Sequence, residues 1–115
     1  MRAAILTASC VVLLQATALA APKTGIRFWN LTGETLAEVS LAPAGTTKFG
    51  PNQCLNDKDG TVEFDEDLLL KGVAPALYDI RMKDVKGRTC YARSVSIKAN
   101  ATFSVGEKEL KDCVP

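Results

Sequence analysis

Six of the thirteen carboxylates in this chain fall within eleven residues, and they are the side chains best placed to do chemistry. Lys58 is the only positive charge among them, so the segment from residue 57 to residue 67 has a net charge of −5. Crowded carboxylates repel one another and destabilise a fold unless something neutralises them. The six are Asp57, Asp59, Glu63, Asp65, Glu66 and Asp67.

This cluster favours one class of metal ion. Hard cations such as Ca²⁺ take several oxygen ligands, and trivalent lanthanide ions of similar size attract carboxylates more strongly. The chain contains no histidine, so Zn²⁺ and Cu²⁺ fit it poorly. We therefore expect a lanthanide ion, or Ca²⁺, as the ligand of this segment.

All six acids are candidate ligands, and five of them form two groups. We expect Glu63, Asp65 and Asp67 to project from one side of a strand end and share one ion, with Asp57 or Asp59 reaching over from the adjoining turn. Such a surface site is incomplete, so water or a second molecule of the protein would fill the remaining positions. A homodimer bridged by metal is one expected outcome.

An EF-hand is not expected here, although part of the segment imitates its loop. Aligning Gly60 with the central glycine of that loop places Glu66 at the last ligand position but Leu55 at the first, which normally supplies an Asp. The upstream Gly50-Pro51 also forbids the entering helix.

Two non-metal interpretations remain open. A run of acids on a strand edge is often a solvated surface that stops the edge from pairing with neighbours. The acidic patch could instead serve a non-catalytic interaction module and dock onto another periplasmic protein, or onto this protein's own basic strands. The basic side chains of those strands are Arg81, Lys83, Lys86, Arg88 and Arg93.

Catalysis is not expected. The chain has no histidine, no glycine-rich phosphate loop and no Ser or Cys with an evident base. Paired carboxylates of a glycosidase would need a deep cleft, which a domain of this size hardly provides.

The first twenty residues predict export. Arg2 precedes an apolar run from residue 3 to residue 14 and then Ala18-Leu19-Ala20, the pattern of a cleaved signal peptide. We expect residues 1–20 to be removed and residues 21–115 to form a single domain in the periplasm. No later segment has the roughly 18 apolar residues of a membrane span, so no membrane association is expected. A lipid on Cys10 is the rival hypothesis, which the polar residues before it disfavour.

Removal of Arg2 leaves thirteen basic and thirteen acidic side chains. A nucleic-acid partner is therefore not expected, because such proteins carry a broad basic excess. The exported part retains Cys54, Cys90 and Cys113, which permit one disulfide in three alternative pairings and leave one thiol over.

The alternation of apolar and polar residues predicts an all-β fold: a small antiparallel, immunoglobulin-like β-sandwich of six or seven short strands. We expect Val62 and Phe64 to face inward on a strand over residues 61–65 whose outer side carries carboxylates. The one candidate helix, over residues 65–72, would span at most two turns.

Four short phrases stand out in the chain: Asn30-Leu31-Thr32-Gly33, Ser40-Leu41-Ala42-Pro43-Ala44-Gly45, Phe49-Gly50-Pro51-Asn52, and Tyr78-Asp79-Ile80-Arg81 with Gly87-Arg88. They resemble those of a family of small exported proteobacterial proteins with compact β-sandwich folds. The resemblance spans residues 26–97 and implies a fold without a chemistry; Phe49 stands where Trp is commoner. The acidic segment is further similar to the periplasmic lanthanide-binding proteins of methylotrophic bacteria, the landiscernin type, which implies metal trafficking.

Overall fold

The computed structural model of the chain describes residues 24–115. The predicted signal peptide over residues 1–20 lies outside these residues. Seven strands and two short 3₁₀ turns, Gln53–Asn56 and Glu107–Glu109, account for the regular structure of the described part. The strands are β1 (Arg27–Leu31), β2 (Leu36–Pro43), β3 (Asp67–Leu69), β4 (Ala76–Asp84), β5 (Thr89–Ile97), β6 (Thr102–Gly106) and β7 (Lys111–Val114).

The strands form two sheets, one with the order β3-β1-β6 and one with the order β2-β4-β5-β7. The prediction of an all-β sandwich is therefore confirmed. One strand pair differs from the predicted antiparallel arrangement, because β1 and β6 run parallel. No hairpin joins these two strands, which lie near opposite ends of the described chain, so no turn imposes an antiparallel direction on them.

The core lies between the sheets and is built by alternation along each strand. Phe28 is fully buried while its neighbour Trp29 faces outward. The ring of Phe28 lies 5.5 Å from that of Phe103, and Val39 and Ile80 close the core from the opposite sheet. In β2 the alternation shifts, because an irregularity in the register between Leu36 and Glu38 allows both Leu36 and Val39 to be buried.

The segment from residue 61 to residue 72 differs from both predictions made for it. Residues 61–65 form no strand: Val62 makes only an isolated bridge to Leu36, with two backbone hydrogen bonds of 2.9 Å. Asp65, at φ 67°, then ends the extended path. Residues 65–72 form no helix, because Leu68 and Leu70 are buried and Leu69 is exposed, which is the period of a strand.

A disulfide joins Cys90 of β5 to Cys113 of β7, which confirms the expected bridge and selects one of the three pairings. Cys54 is the free cysteine among residues 24–115, and it is buried. Burial raises the pKa of its thiol to about 12, so the thiol stays protonated and unreactive. Within the same residues no helix is long and apolar enough to cross a membrane.

Reduction of the disulfide should release β7. All four residues of this strand are exposed, and it pairs with β5 at only two positions, so little else holds it. In hydrogen exchange after reduction, the β7 amides should lose protection while those of β1 and β4 keep theirs. Alkylation should modify Cys90 and Cys113 quickly and Cys54 slowly. Unchanged protection of β7 after complete alkylation of Cys90 and Cys113 would show that the disulfide does not hold this strand in place.

Candidate functional site

The structure separates the six acids of the segment into three places. Asp65 and Asp67 lie on the outer face of the three-stranded sheet. Asp57 and Glu66 contact each other through their side chains near the 3₁₀ turn that lies against β2 and β3. Asp59 and Glu63 are exposed and join neither pair.

The outer face of the three-stranded sheet carries a shallow polar depression. Its centre is Trp29, whose cross-strand partners are Asp67 on β3 and Ser104 on β6. We call this surface the Trp29 depression, and its lining residues are Trp29, Asp65, Asp67, Thr102 and Ser104.

Trp29 is fixed in this depression by a hydrogen bond. Its indole Nε1 donates to Oδ1 of Asp65 at 2.9 Å, although the side chain remains 37% exposed. An outward-facing Trp usually needs a partner for its one polar atom, and here a carboxylate supplies it. The contact orients one oxygen of Asp65 towards the ring.

The main chain of Asn30 holds the acidic segment against β1. Its carbonyl accepts from the N–H of Asp65 at 2.7 Å, and its N–H donates to the carbonyl of Glu66 at 3.1 Å. Asp65 can satisfy this geometry because Asp tolerates the left-handed backbone conformation better than most residues. The position of its carboxylate beside Trp29 follows from these two bonds.

The side chain of Asn30, which is 0% exposed, makes a second set of contacts. Its Nδ2 donates to the carbonyls of Glu34 and Val62, both at 2.9 Å. Its Oδ1 accepts from the backbone N–H of Thr32 at 3.0 Å and from the Thr32 hydroxyl at 2.6 Å. The spacing of Asn30 and Thr32 in the first of the four phrases therefore serves this buried network.

The contact between Asp57 and Glu66 requires a proton, because two ionised carboxylates cannot hydrogen-bond to each other. The hydrogen bond to Asp57 raises the pKa of Glu66, and the same bond lowers the pKa of Asp57. Glu66 Oε2 also accepts from the backbone N–H of Glu63 at 2.8 Å. We call Asp57 and Glu66 the edge pair.

The predicted sharing of one ion by three or more acids has no preformed counterpart. Within residues 24–115, no group of three or more Asp, Glu, His or Cys side chains is placed to hold a metal ion. The depression brings together two carboxylates, and sequence reasoning missed the hydroxyls of Thr102 and Ser104 beside them. Only the parallel pairing of β1 with β6 places those hydroxyls there.

Arg27 borders the depression. It faces the same side of β1 as Trp29 and pairs with Thr102 and Leu69 across the neighbouring strands. Its Nε is the one buried side-chain nitrogen or oxygen of the described residues that lacks a hydrogen-bond partner. This positive charge weakens the attraction of the depression for cations.

Substitution Glu66→Gln tests the edge pair. The raised pKa of Glu66 stabilises the fold below the ordinary pKa of a glutamate, and this contribution is lost as pH rises through the raised pKa. The amide can donate to Asp57 and accept from the Glu63 N–H at every pH. Urea unfolding should therefore show that wild type loses stability relative to the variant as the pH rises from the ordinary pKa of a glutamate through the raised pKa of Glu66.

The matched control is Glu109→Gln, which removes one exposed carboxylate from the other 3₁₀ turn. This control should follow the pH dependence of the wild type. A variant at Glu66 that does the same would show that the two carboxyls do not share a proton.

Comparison of the chain with protein-family models, with curated proteins and with solved structures finds no match. The resemblances described from the sequence therefore stay predictions.

Proposed function

We propose that this protein is an exported, periplasmic protein that binds a hard cation, a lanthanide ion or Ca²⁺, and takes part in metal trafficking. One observation carries the proposal. Asp65 and Asp67 line the same surface depression, and the hydroxyl side chains of Thr102 and Ser104 lie with them. All four supply oxygen, which hard cations prefer.

The donor set supplies part of a coordination sphere. Two carboxylates offer at most four oxygens, while Ca²⁺ takes six to eight ligands. Water or a second molecule would complete the sphere around an ion held by Asp65 and Asp67. A partial, exposed site exchanges its ion more readily than a closed cage, which suits delivery from one protein to another.

Export is part of the proposal. The N-terminal sequence has the pattern of a signal peptide, and the disulfide between Cys90 and Cys113 is the kind of bond that persists in oxidising compartments. The resemblance to the landiscernin type supports the same compartment and ligand. We propose no catalytic activity.

Protein binding without metal is the second candidate function, and the flanks of the acidic segment favour it. Leu55 is 73% exposed and Phe64 is 61% exposed, and both border the carboxylates. Apolar side chains beside charges are common at interaction surfaces. Such binding would weaken as salt is added and would be unaffected by a chelator, whereas a chelator would abolish cation binding.

Terbium luminescence provides the test, because Trp29 is the single tryptophan of the chain and it contacts Asp65. Excitation of the indole should sensitise emission from Tb³⁺ bound in the depression. Substitutions Asp65→Asn and Asp67→Asn together should lower the affinity at least about tenfold, since they remove both carboxylates. The Asn side chain retains an oxygen that can accept from the indole N–H.

The matched control is the double substitution Asp57→Asn with Glu66→Gln, which removes the two acids of the edge pair from the same segment. It should leave the sensitised emission at saturation unchanged and lower the affinity less than the first pair does. Equal affinities of the first double variant and wild type would refute the placement of the site. Absence of saturable Tb³⁺ binding by the wild type would refute the proposed function itself.

A further inference from the structure

The outer face of the four-stranded sheet carries a row of polar side chains that runs across all four strands. Arg81 on β4 pairs with Ser40 on β2 and with Tyr91 on β5, and Tyr91 pairs with Lys111 on β7. Ile80, Met82 and Cys90 are buried in the core, so Arg81 and Tyr91 point to the outer side of the sheet, while Ser40 is only 3% exposed.

Phe49 packs on this row and fixes the position of the Arg81 side chain. The guanidinium carbon of Arg81 is 4.3 Å from the centre of the Phe49 ring, and that ring is 6.0 Å from the ring of Tyr91. Cation–π contact holds the Arg81 head group in one place, so less side-chain entropy is lost when a partner binds it. We call this surface the Arg81 face, defined by Phe49, Arg81, Tyr91 and Lys111.

The charges of the Arg81 face are not neutralised within residues 24–115. Neither Arg81 nor Lys111 forms an ion pair among these residues. Arg93 differs, because it contacts Asp79 at 3.4 Å and Asp112 at 3.1 Å. The face therefore presents two available cations on an aromatic base, a surface suited to carboxylates.

We propose that the Arg81 face binds the acidic segment, residues 57–67, of a second copy of this chain. Charge complementarity supports this occupant, because the segment has a net charge of −5 while the exported chain as a whole is neutral. Within one molecule the two surfaces cannot meet. Asp65 and Asp67 lie on the outer side of one sheet and Arg81 on the outer side of the other, and the outer sides of packed sheets point away from each other.

The contact is head-to-tail, because two different surfaces of the same chain meet. Such an interface leaves one acidic and one basic surface unused at the ends of a dimer, so further copies can add. Electrostatic contacts of this kind are strongest at low ionic strength, and they need no metal. The contact requires no bound ion, although it uses the segment that carries the proposed cation site.

Analytical ultracentrifugation in the presence of a chelator tests the proposal, using two variants with altered charge. One carries Arg81→Glu and Lys111→Glu and lacks the basic surface. The other carries Glu63→Lys and Asp67→Lys, which reduce the net charge of the acidic segment from −5 to −1. The wild type should self-associate at an ionic strength of about 10 mM, where the Debye length is about 30 Å, and dissociate at about 0.5 M.

A mixture of the two variants distinguishes this contact from non-specific attraction. Each variant alone should remain a monomer. In the first variant, two carboxylates replace the two cations of the Arg81 face, so they repel the acidic segment of the next copy. In the second, the segment has a net charge of −1 instead of −5, so it attracts the unchanged Arg81 face only weakly. In the equimolar mixture, the intact Arg81 face of the second variant meets the intact acidic segment of the first. The mixture should therefore associate again at low ionic strength.

A matched control has Lys98→Glu and Lys108→Glu, which changes charge equally outside the four-stranded sheet. This control should associate about as the wild type does. A monomeric wild type at low ionic strength, or a mixture of the two variants that stays monomeric, would overturn the proposal. Association of the Arg81→Glu variant by itself would do so as well, provided its circular dichroism matches that of the wild type.

Discussion

The buried amide of Asn30 is the constraint on which the rest of the candidate site depends. Its side chain satisfies the carbonyls of Glu34 and Val62, and its main chain holds Asp65 and Glu66. A buried polar group that lost these partners would destabilise the fold by about 1–3 kcal/mol. The same contacts carry the acidic segment across the edge of the sandwich and place a carboxylate beside Trp29. Stability and site geometry therefore rest on one residue.

The fold places opposite charges on the two opposite outer sides of the sandwich. Each sheet buries one side, so polar residues of alternate strand positions accumulate on two opposite outer sides. One side holds Asp65, Asp67 and the exposed Trp29, and the other holds the Arg81 face. Residues 21–115 contain thirteen basic and thirteen acidic side chains, and this neutral part of the chain can thereby present a cation-attracting surface and an anion-attracting surface at once. Both proposed activities use this separation.

The sequence predicted the sandwich well where alternation was clear, as in β1 around Phe28 and in the β4–β5 hairpin. It failed over residues 61–72, because the Leu68-Leu69-Leu70 run suits a helix or a strand and only pairing with β1 decides between them. The Trp29 depression could not be predicted from the sequence either, because Ser104 reaches it through a parallel pairing of distant strands. The role of Asn30 also needed the structure, because a buried amide and an exposed one look alike in a sequence.

The placement of the ion in the Trp29 depression is tested most directly by a nuclear magnetic resonance titration of the ¹⁵N-labelled protein with Gd³⁺. This paramagnetic lanthanide broadens the signals nearest to it. Substoichiometric Gd³⁺ should first remove the amide signals of Asp65 and Asp67 and the indole signal of Trp29, and excess La³⁺ should restore them. Earliest broadening at Asp57 and Glu66, or uniform broadening without a centre, would contradict the placement of the ion in the Trp29 depression.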